Sequence, residues 1–320
     1  MYACIDLGSN SFHLLIGEWD NGRIEIVERW SEKVQLGEDV RQTGNISAAA
    51  FKRGLDCLQH FKLQMDSYPL ERYWALGTNT FRVTENAQEF ILAASDLGID
   101  ISIISGVQEA VLIYAGVITS LPEDDSRRLI IDIGGGSTEV IVGEKHQRLI
   151  TESLAIGSVA WRDRFFPPSI NTIEKYEQQL DLATASAKKV FSEAAPAIRK
   201  TDWNEAYASS GTVKMLALIC GEHGYGEGKI SIAALKELRP IVLAAIVSNS
   251  ELAGLRERRR DLLLPGWAIM IGLMEAYGVQ TIRFSATALR EGMLDFMVKN
   301  KKTLQVMEQS NLPEVSFAKS

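Results

Sequence analysis

Asp132-Ile133-Gly134-Gly135-Gly136-Ser137-Thr138-Glu139-Val140-Ile141-Val142-Gly143-Glu144 aligns without gaps on Asp6-Leu7-Gly8-Ser9-Asn10-Ser11-Phe12-His13-Leu14-Leu15-Ile16-Gly17-Glu18. Each copy reads as the end of a strand, an acidic residue, a glycine-containing turn, a serine and a second strand. Apolar runs on both sides of such a turn predict a β-hairpin, which residues 23–27 and 148–151 extend by a third strand. A looser echo relates Tyr73-Trp74-Ala75-Leu76-Gly77-Thr78-Asn79-Thr80-Phe81-Arg82 to Ile282-Arg283-Phe284-Ser285-Ala286-Thr287-Ala288-Leu289-Arg290. Both read as strand, small polar turn and a helix start carrying an Arg. Two copies so far apart do not make a solenoid, whose periods run about 20–50 residues. They predict two similar domains with a cleft between the copies.

Outward from the two hairpins, helices are expected at 49–65, at 87–97 and after Gln108. Leu121-Pro122-Glu123-Asp124-Asp125-Ser126 is polar, acidic and Pro-containing, and reads as the linker. In the second half, 173–194 is a long helical pattern, 206–212 a strand entering a turn, and 213–220 its following helix. Further helices are expected at 231–247 and 265–277. Strands alternating with helices in each half make the chain α/β. The expected division is a first domain over 1–121, a second over 122–302, and a weakly patterned tail at 303–320 that could pack back as a short helix.

With 320 residues, 46% hydrophobic and 23% charged, the chain can bury two substantial cores. A net charge of -7 argues against a sequence-independent nucleic-acid binder. An anionic substrate would need local help from backbone N–H groups, a metal ion or a few Arg and Lys residues. Cys4, Cys57 and Cys220 are isolated in apolar surroundings, which fits buried thiols in a reducing compartment. His13, His60, His146 and His223 show no zinc-ligand spacing. The opening run Tyr2-Ala3-Cys4-Ile5 resembles a strand rather than an export signal. No apolar stretch reaches the ~20 residues of a spanning helix. The expectation is therefore a cytoplasmic protein with no membrane partner. A homodimer is the common state for soluble enzymes of this size.

Two acidic hairpin turns facing one cleft could hold a phosphate chain and a metal together. Small turn residues let backbone N–H groups approach oxygen, while a carboxylate binds Mg²⁺ directly or through water. Ser9, Asn10, Ser11 and Gly134, Gly135, Gly136, Ser137, Thr138 are the expected phosphate-binding lining, and Asp6, Asp132 and Glu139 the candidate metal ligands. One Gly-Gly-Gly turn alone would be an ordinary tight turn; two copies with Asp and Ser in register carry the case. Ser209-Ser210-Gly211-Thr212 lies between an apolar run and a helix, where free N–H groups attract anions, so Ser210, Gly211 and Thr212 join the phosphate set. The plain alternative is an N-cap. Thr78, Asn79 and Thr80 form a similar turn, and Arg82 could clamp phosphate oxygens or simply make a surface salt bridge. Ser105-Gly106-Val107-Gln108-Glu109-Ala110 starts a helix with Ser105 as cap. By itself, Glu109 reads as a surface carboxylate complementing the helix dipole.

These motifs, in this order, resemble the exopolyphosphatase/guanosine pentaphosphate phosphatase (Ppx/GppA) family. The resemblance runs through Asp-Leu-Gly-Ser-Asn-Ser, Gly-Thr-Asn-Thr-Phe-Arg, Ile-Ser-Gly-x-x-Glu-Ala, Asp-Ile-Gly-Gly-Gly-Ser-Thr-Glu, Ser-Gly-Thr and Ala-Leu-Arg-Glu-Gly, covering roughly Tyr2 to Val298. It implies two actin-like domains of the ribonuclease H-like, ASKHA superfamily type, flanking a central cleft and each built on a mixed five-stranded sheet. It also implies that Glu109 is the catalytic base, that Asp132 and Glu139 take metal and phosphate positions, and that Arg82 is the cleft arginine. The cofactor implied is Mg²⁺ or Mn²⁺, and the substrate polyphosphate or a guanosine nucleotide, with polyphosphate preferred. One departure stands beside Glu109: the family's Glu-Glu pair is Gln108-Glu109 here. Longer family members also carry a further helical C-terminal half.

A sugar or acetate kinase of the same superfamily would use the same hairpins to hold ATP, and would need an adenosine pocket and a base for a hydroxyl. A non-enzymatic actin-like assembly protein is the other alternative, and its polymers would scatter light. Arg256-Glu257-Arg258-Arg259-Arg260-Asp261 is too short and mixed for nucleic-acid contact and reads as a solvated loop or the side of a polyanion path.

Overall fold

The computed structural model describes residues 1–20 and 23–299. The expected tail at 303–320 and the end of the expected second domain lie outside the described residues. The chain forms two compact units. The first comprises Met1–Asp124, Lys145–Arg148 and the described residues from Thr287 onward; the second comprises Asp125–Glu144 and Leu149–Ala286.

The first unit runs β1 (Tyr2–Leu7), β2 (Ser11–Asp20), β3 (Arg23–Lys33), α1 (Val40–Thr43), α2 (Ala48–Met65), β4 (Arg72–Gly77), α3 (Asn79–Val83), α4 (Ala87–Asp96), β5 (Ile101–Ile103) and α5 (Gly106–Ile118). Its five-stranded sheet has the order β3-β2-β1-β4-β5. The β1, β2 and β3 neighbours are antiparallel, and β4 and β5 add on in parallel. Ala3, Cys4, Ile5, Leu7, Leu14, Leu15 and Ile16 are fully buried. Both faces of the inner strands are therefore covered, which is why they read as continuous apolar runs rather than alternating ones. On one face, α2 starts at Ser47, whose hydroxyl accepts from Ala50 N at 3.3 Å. It buries Ala50, Gly54, Cys57, Leu58, Phe61 and Met65, one stripe at helical spacing.

The second unit runs β6 (Arg127–Ile133), β7 (Thr138–Glu144), β8 (Gln147–Leu154), α6 (Ser158–Phe165), α7 (Ile173–Thr201), β9 (Glu205–Ser209), α8 (Gly211–Glu222), β10 (Lys229–Ser231), α9 (Ile232–Val247), α10 (Leu263–Tyr277) and β11 (Thr281–Phe284). The sheet order is β10-β11-β9-β6-β7-β8. Six strands stand where five were expected, because β10 adds three residues antiparallel to β11. So short a strand ahead of a helix carries no periodic signal. The α7 helix runs on past the expected 194, through Pro196. Ala187, Phe191, Ala195 and Ile198 hold it in the core, offsetting the hydrogen bond that proline removes.

Pairing bears out the hairpin repeat. Asp6 stands opposite His13 and Leu7 opposite Phe12, as Asp132 stands opposite Glu139 and Ile133 opposite Thr138. The looser echo is corrected. In the sheets β4 lies beside β1 as β9 lies beside β6, so the counterpart of β4 is β9, and β11 answers to β5. Strand, polar turn and helix recur after several parallel strands, and only the sheet order tells which are equivalent.

A last helix, α11 (Leu289–Lys299), follows the second unit in sequence but packs in the first, against α5. Sequence order had placed it in the second half. Two glycines make the contact. A Cβ on Gly116 would lie 1.7 Å from the Ala288 carbonyl oxygen, and one on Gly292 would lie 1.8 Å from the Leu112 oxygen. The two helices touch backbone to backbone there, which no side chain would allow. Among the described residues no helix is long and apolar enough to cross a membrane.

Candidate active site

In the first unit, the turn between β1 and β2 is tied to the end of β4. Thr78 donates to the Leu7 carbonyl from its N–H at 3.4 Å and from its hydroxyl at 3.2 Å. The Thr80 hydroxyl donates to Ser9 Oγ at 2.8 Å, and Asn10 Nδ2 donates to Ser11 Oγ at 3.1 Å. Gly37 N donates to the Ser9 carbonyl at 2.8 Å, and Gln35 N to that of Asn10 at 2.9 Å. Ser9, Asn10, Ser11, Thr78 and Thr80 are all buried. Two small polar turns are thus brought together, with Asn79 opening α3 beside them. Asp6 is half-buried and lies across from His13.

Arg82, on α3, donates from Nη1 to the Ile104 carbonyl and to Glu109 Oε2, both at 2.9 Å. Glu109 is only 8% exposed. The surface roles read from sequence for these two residues are overturned: a carboxylate and a guanidinium are held together where water is largely excluded, and such charge-assisted bonds are strong. The start of α5 fixes the carboxylate. Ser105 Oγ accepts from Gln108 N at 3.1 Å, while Gln108 Oε1 accepts from Ser105 N at 2.8 Å, a complete capping box. Gln108 therefore closes the cap immediately before Glu109, a role that Glu fills equally well. The S-x-x-Q spacing carried this signal in the sequence. We expect Gln108→Ala to cost about 0.5–1 kcal/mol and Gln108→Glu to be near neutral, as read by thermal denaturation.

In the second unit the glycine turn is tied to a helix start that sequence reading missed. The Gly134 carbonyl accepts from Ser158 N at 2.9 Å and from Ser158 Oγ at 3.2 Å; the Gly135 carbonyl accepts from Val159 N at 2.9 Å. A Cβ on Gly157 would come within 2.4 Å of the Gly135 backbone. The N-terminal amides of α6 thus hold the loop of Gly134, Gly135 and Gly136. Gly134 N closes the turn on the Ser137 carbonyl at 2.9 Å, and the buried Thr138 hydroxyl donates to Ile156 O at 2.6 Å. Gly157-Ser158 just before a helical run was the available clue.

Asp132 and Glu139 are directly opposed on antiparallel strands, so their side chains share one face of the sheet. The Ser209 hydroxyl donates to Asp132 Oδ2. The Ser153 hydroxyl donates to Glu139 Oε1 at 2.8 Å, and Glu139 is 1% exposed. Among the described residues no group of three or more His, Cys, Asp or Glu forms a metal cage.

Ser210 adopts φ 105°, a left-handed conformation that favours glycine. Its hydroxyl accepts from Thr212 N at 3.1 Å and Val213 N at 3.2 Å, so the cap reading describes these amides. Thr212 Oγ1 donates to Ser158 Oγ at 3.3 Å, joining this turn to the glycine loop. At Gly211 a Cβ would lie 2.1 Å from Arg259 Nη2, so glycine makes room for that guanidinium against the turn. Burial, with Arg258 and Arg256 nearby, pulls the Arg259 pKa below its ordinary value. Nothing in the run 256–261 singled out Arg259 from its neighbours.

The sequence profile of the Ppx/GppA phosphatase family matches residues 15–301. A Haemophilus influenzae protein named "Putative exopolyphosphatase" is 36% identical over 300 residues, spanning 93% of this chain and 91% of its own length. The crystal structure of an exopolyphosphatase from Cytophaga hutchinsonii superposes with a TM-score of 0.83 at 28% identity, covering 95% of this chain and 99% of that one. An Aquifex aeolicus member of the Ppx/GppA family superposes with a TM-score of 0.75 at 23% identity, covering 94% and 98%. The two α/β units described above have the actin-like fold of these proteins.

Proposed function

The chain belongs to the Ppx/GppA phosphatase family, and we propose that it removes the terminal phosphate of inorganic polyphosphate, with a guanosine pentaphosphate-type nucleotide as an alternative substrate of the same chemistry. The observation that supports this most is the buried Glu109 carboxylate fixed by Arg82 at the capped start of α5. A base for in-line attack must be held in place and able to take a proton from water. Glu109 accepts that proton as the water oxygen bonds to the terminal phosphorus. The anhydride P–O bond breaks, and the shortened chain leaves with its electron pair. No phosphoenzyme is required.

The turns at Ser9, Asn10, Ser11, Thr78 and Asn79, at 134–138 and at Ser210, Gly211 and Thr212 are the proposed phosphate-binding segments. Arg82 has the double part of orienting Glu109 and of opposing charge on the phosphoryl oxygens. Asp132 and Glu139 are the proposed metal ligands in the second unit, and Asp6 is a separate candidate in the first. The donor set fits the ion: two carboxylates side by side on neighbouring strands suit Mg²⁺ or Mn²⁺, which keep water and phosphate oxygens as their remaining ligands. When bound, the metal supplies positive charge to the phosphoryl oxygens.

The test is phosphate release in Mg²⁺ from defined-length polyphosphate, from guanosine pentaphosphate, and from ATP with a panel of sugars. Release from the first two without an acceptor is the expected result, with polyphosphate the better substrate. ATP consumption that depends on a sugar would move the protein to the kinase branch of the same fold.

A further inference from the structure

Ser209, Asp132, Glu139 and Ser153 come from β9, β6, β7 and β8, four strands that are neighbours in that order. Ser209 and Asp132 are register partners, as are Asp132 and Glu139. Each acid accepts a hydrogen bond from the serine on its outer side. The result is one polar row across the sheet with two carboxylates inside and two hydroxyls outside. Ser209 is fully buried and Glu139 nearly so, in surroundings where a hydroxyl donated to a carboxylate is strong and directional.

The first unit supplies an internal control. Its row, built on the same hairpin, is Leu76, Asp6, His13 and Ser31 on β4, β1, β2 and β3. A leucine stands where Ser209 does, and a histidine where Glu139 does. The first row therefore carries no hydroxyl at the register position of Ser209 and no second acid. Hydroxyls bonded to both members of an acid pair are a property of the second row, not a requirement of the sheet.

We infer that Ser153 and Ser209 are positioning residues that set the rotamers of Glu139 and Asp132 for a divalent cation. This rests on the reading of those two acids as metal ligands. Partners of this kind fix a ligand's direction, and losing one costs about 10–100-fold in metal affinity.

The experiment is Mn²⁺ binding to the full chain without substrate, followed by the paramagnetic resonance signal of free Mn²⁺. The variants are Ser153→Ala, Ser153→Thr and Ser209→Ala, with Asp132→Asn and Glu139→Gln as references. Each variant's melting midpoint is recorded without metal to confirm folding. Ser153→Ala and Ser209→Ala should weaken binding by about 10–100-fold. Ser153→Thr, which keeps the hydroxyl on a partly exposed strand, should restore it. If Ser209→Ala does not fold, the Ser153 pair decides alone. Wild-type affinity in Ser153→Ala, with affinity lost in the acid variants, would overturn the positioning role and leave the metal ligands standing. Unchanged affinity in both acid variants would remove the metal assignment, and this inference with it.

Discussion

Glu109→Gln should lower kcat on polyphosphate by about 10²–10⁴-fold, the usual contribution of a positioned general base, with KM little changed. The substitution keeps the shape of the side chain and an oxygen that can accept from Arg82 Nη1, so the contact with α3 survives. What it removes is the capacity to take a proton from water. The half-buried guanidinium loses its counter-charge as well, which should appear as a modest drop in the melting midpoint. Steady-state kinetics beside a melting curve separate the two effects. Wild-type turnover in a folded Glu109→Gln protein would take the base assignment off this residue. A loss confined to KM would recast Glu109 as a binding group.

The largest expected loss of stability comes from Gly292→Ala. The added methyl would lie 1.8 Å from the Leu112 carbonyl oxygen and 2.8 Å from its carbon. Both are backbone atoms in the middle of a helix, so no side chain can rotate away, and α5 and α11 must separate. Overpacking of this kind costs about 3 kcal/mol, or roughly 6–12 °C in melting midpoint for a unit of this size. Gly116→Ala meets the Ala288 carbonyl in the same way. The double variant should cost less than the sum, because one separation relieves both clashes. Gly221→Ala in α8 is the control. The nearest atom there is 3.8 Å from the new Cβ, so the change should be neutral or gain about 0.5–1 kcal/mol through helix propensity. A Gly292→Ala protein melting within a degree or two of wild type would mean that the helices do not cross this closely.

The parts of the molecule legible in the sequence are those that local patterns encode. Strand, glycine turn and strand lie within thirteen residues of each other, so the two hairpins and their register relation could be read directly. The amphipathic stripe of α2 and the apolar run of α10 were equally plain. What could not be read depends on residues far apart in the chain. Ser153 is fourteen residues from Glu139, and Ser209 is seventy-seven from Asp132. Nothing in either segment alone says that a hydroxyl meets an acid. Arg259 sits in a run of arginines, and what sets it apart, its burial and its place against the Cβ-less Gly211, appears only in the fold. The equivalence of β4 with β9 is a matter of sheet order, which a local echo cannot report. Gln108 is the opposite case: its spacing from Ser105 announced a capping box, and comparison with the family's Glu-Glu pair drew attention to the charge it lacks rather than to the cap it closes.

The pairing of α5 with α11 also bears on the order of events at the ribosome. Leu112 and Gly116 are made early, whereas their partners Ala288 and Gly292 emerge only after the whole second unit has been synthesised. At about 5–20 residues per second, the first unit waits on the order of ten to thirty seconds with one helix missing. Through that interval the apolar side of α5 that α11 will cover, including Leu112 and Gly116, has no permanent cover. The newborn chain is then most exposed to association with its neighbours, and a chain that stops short of Gly292 never leaves that condition.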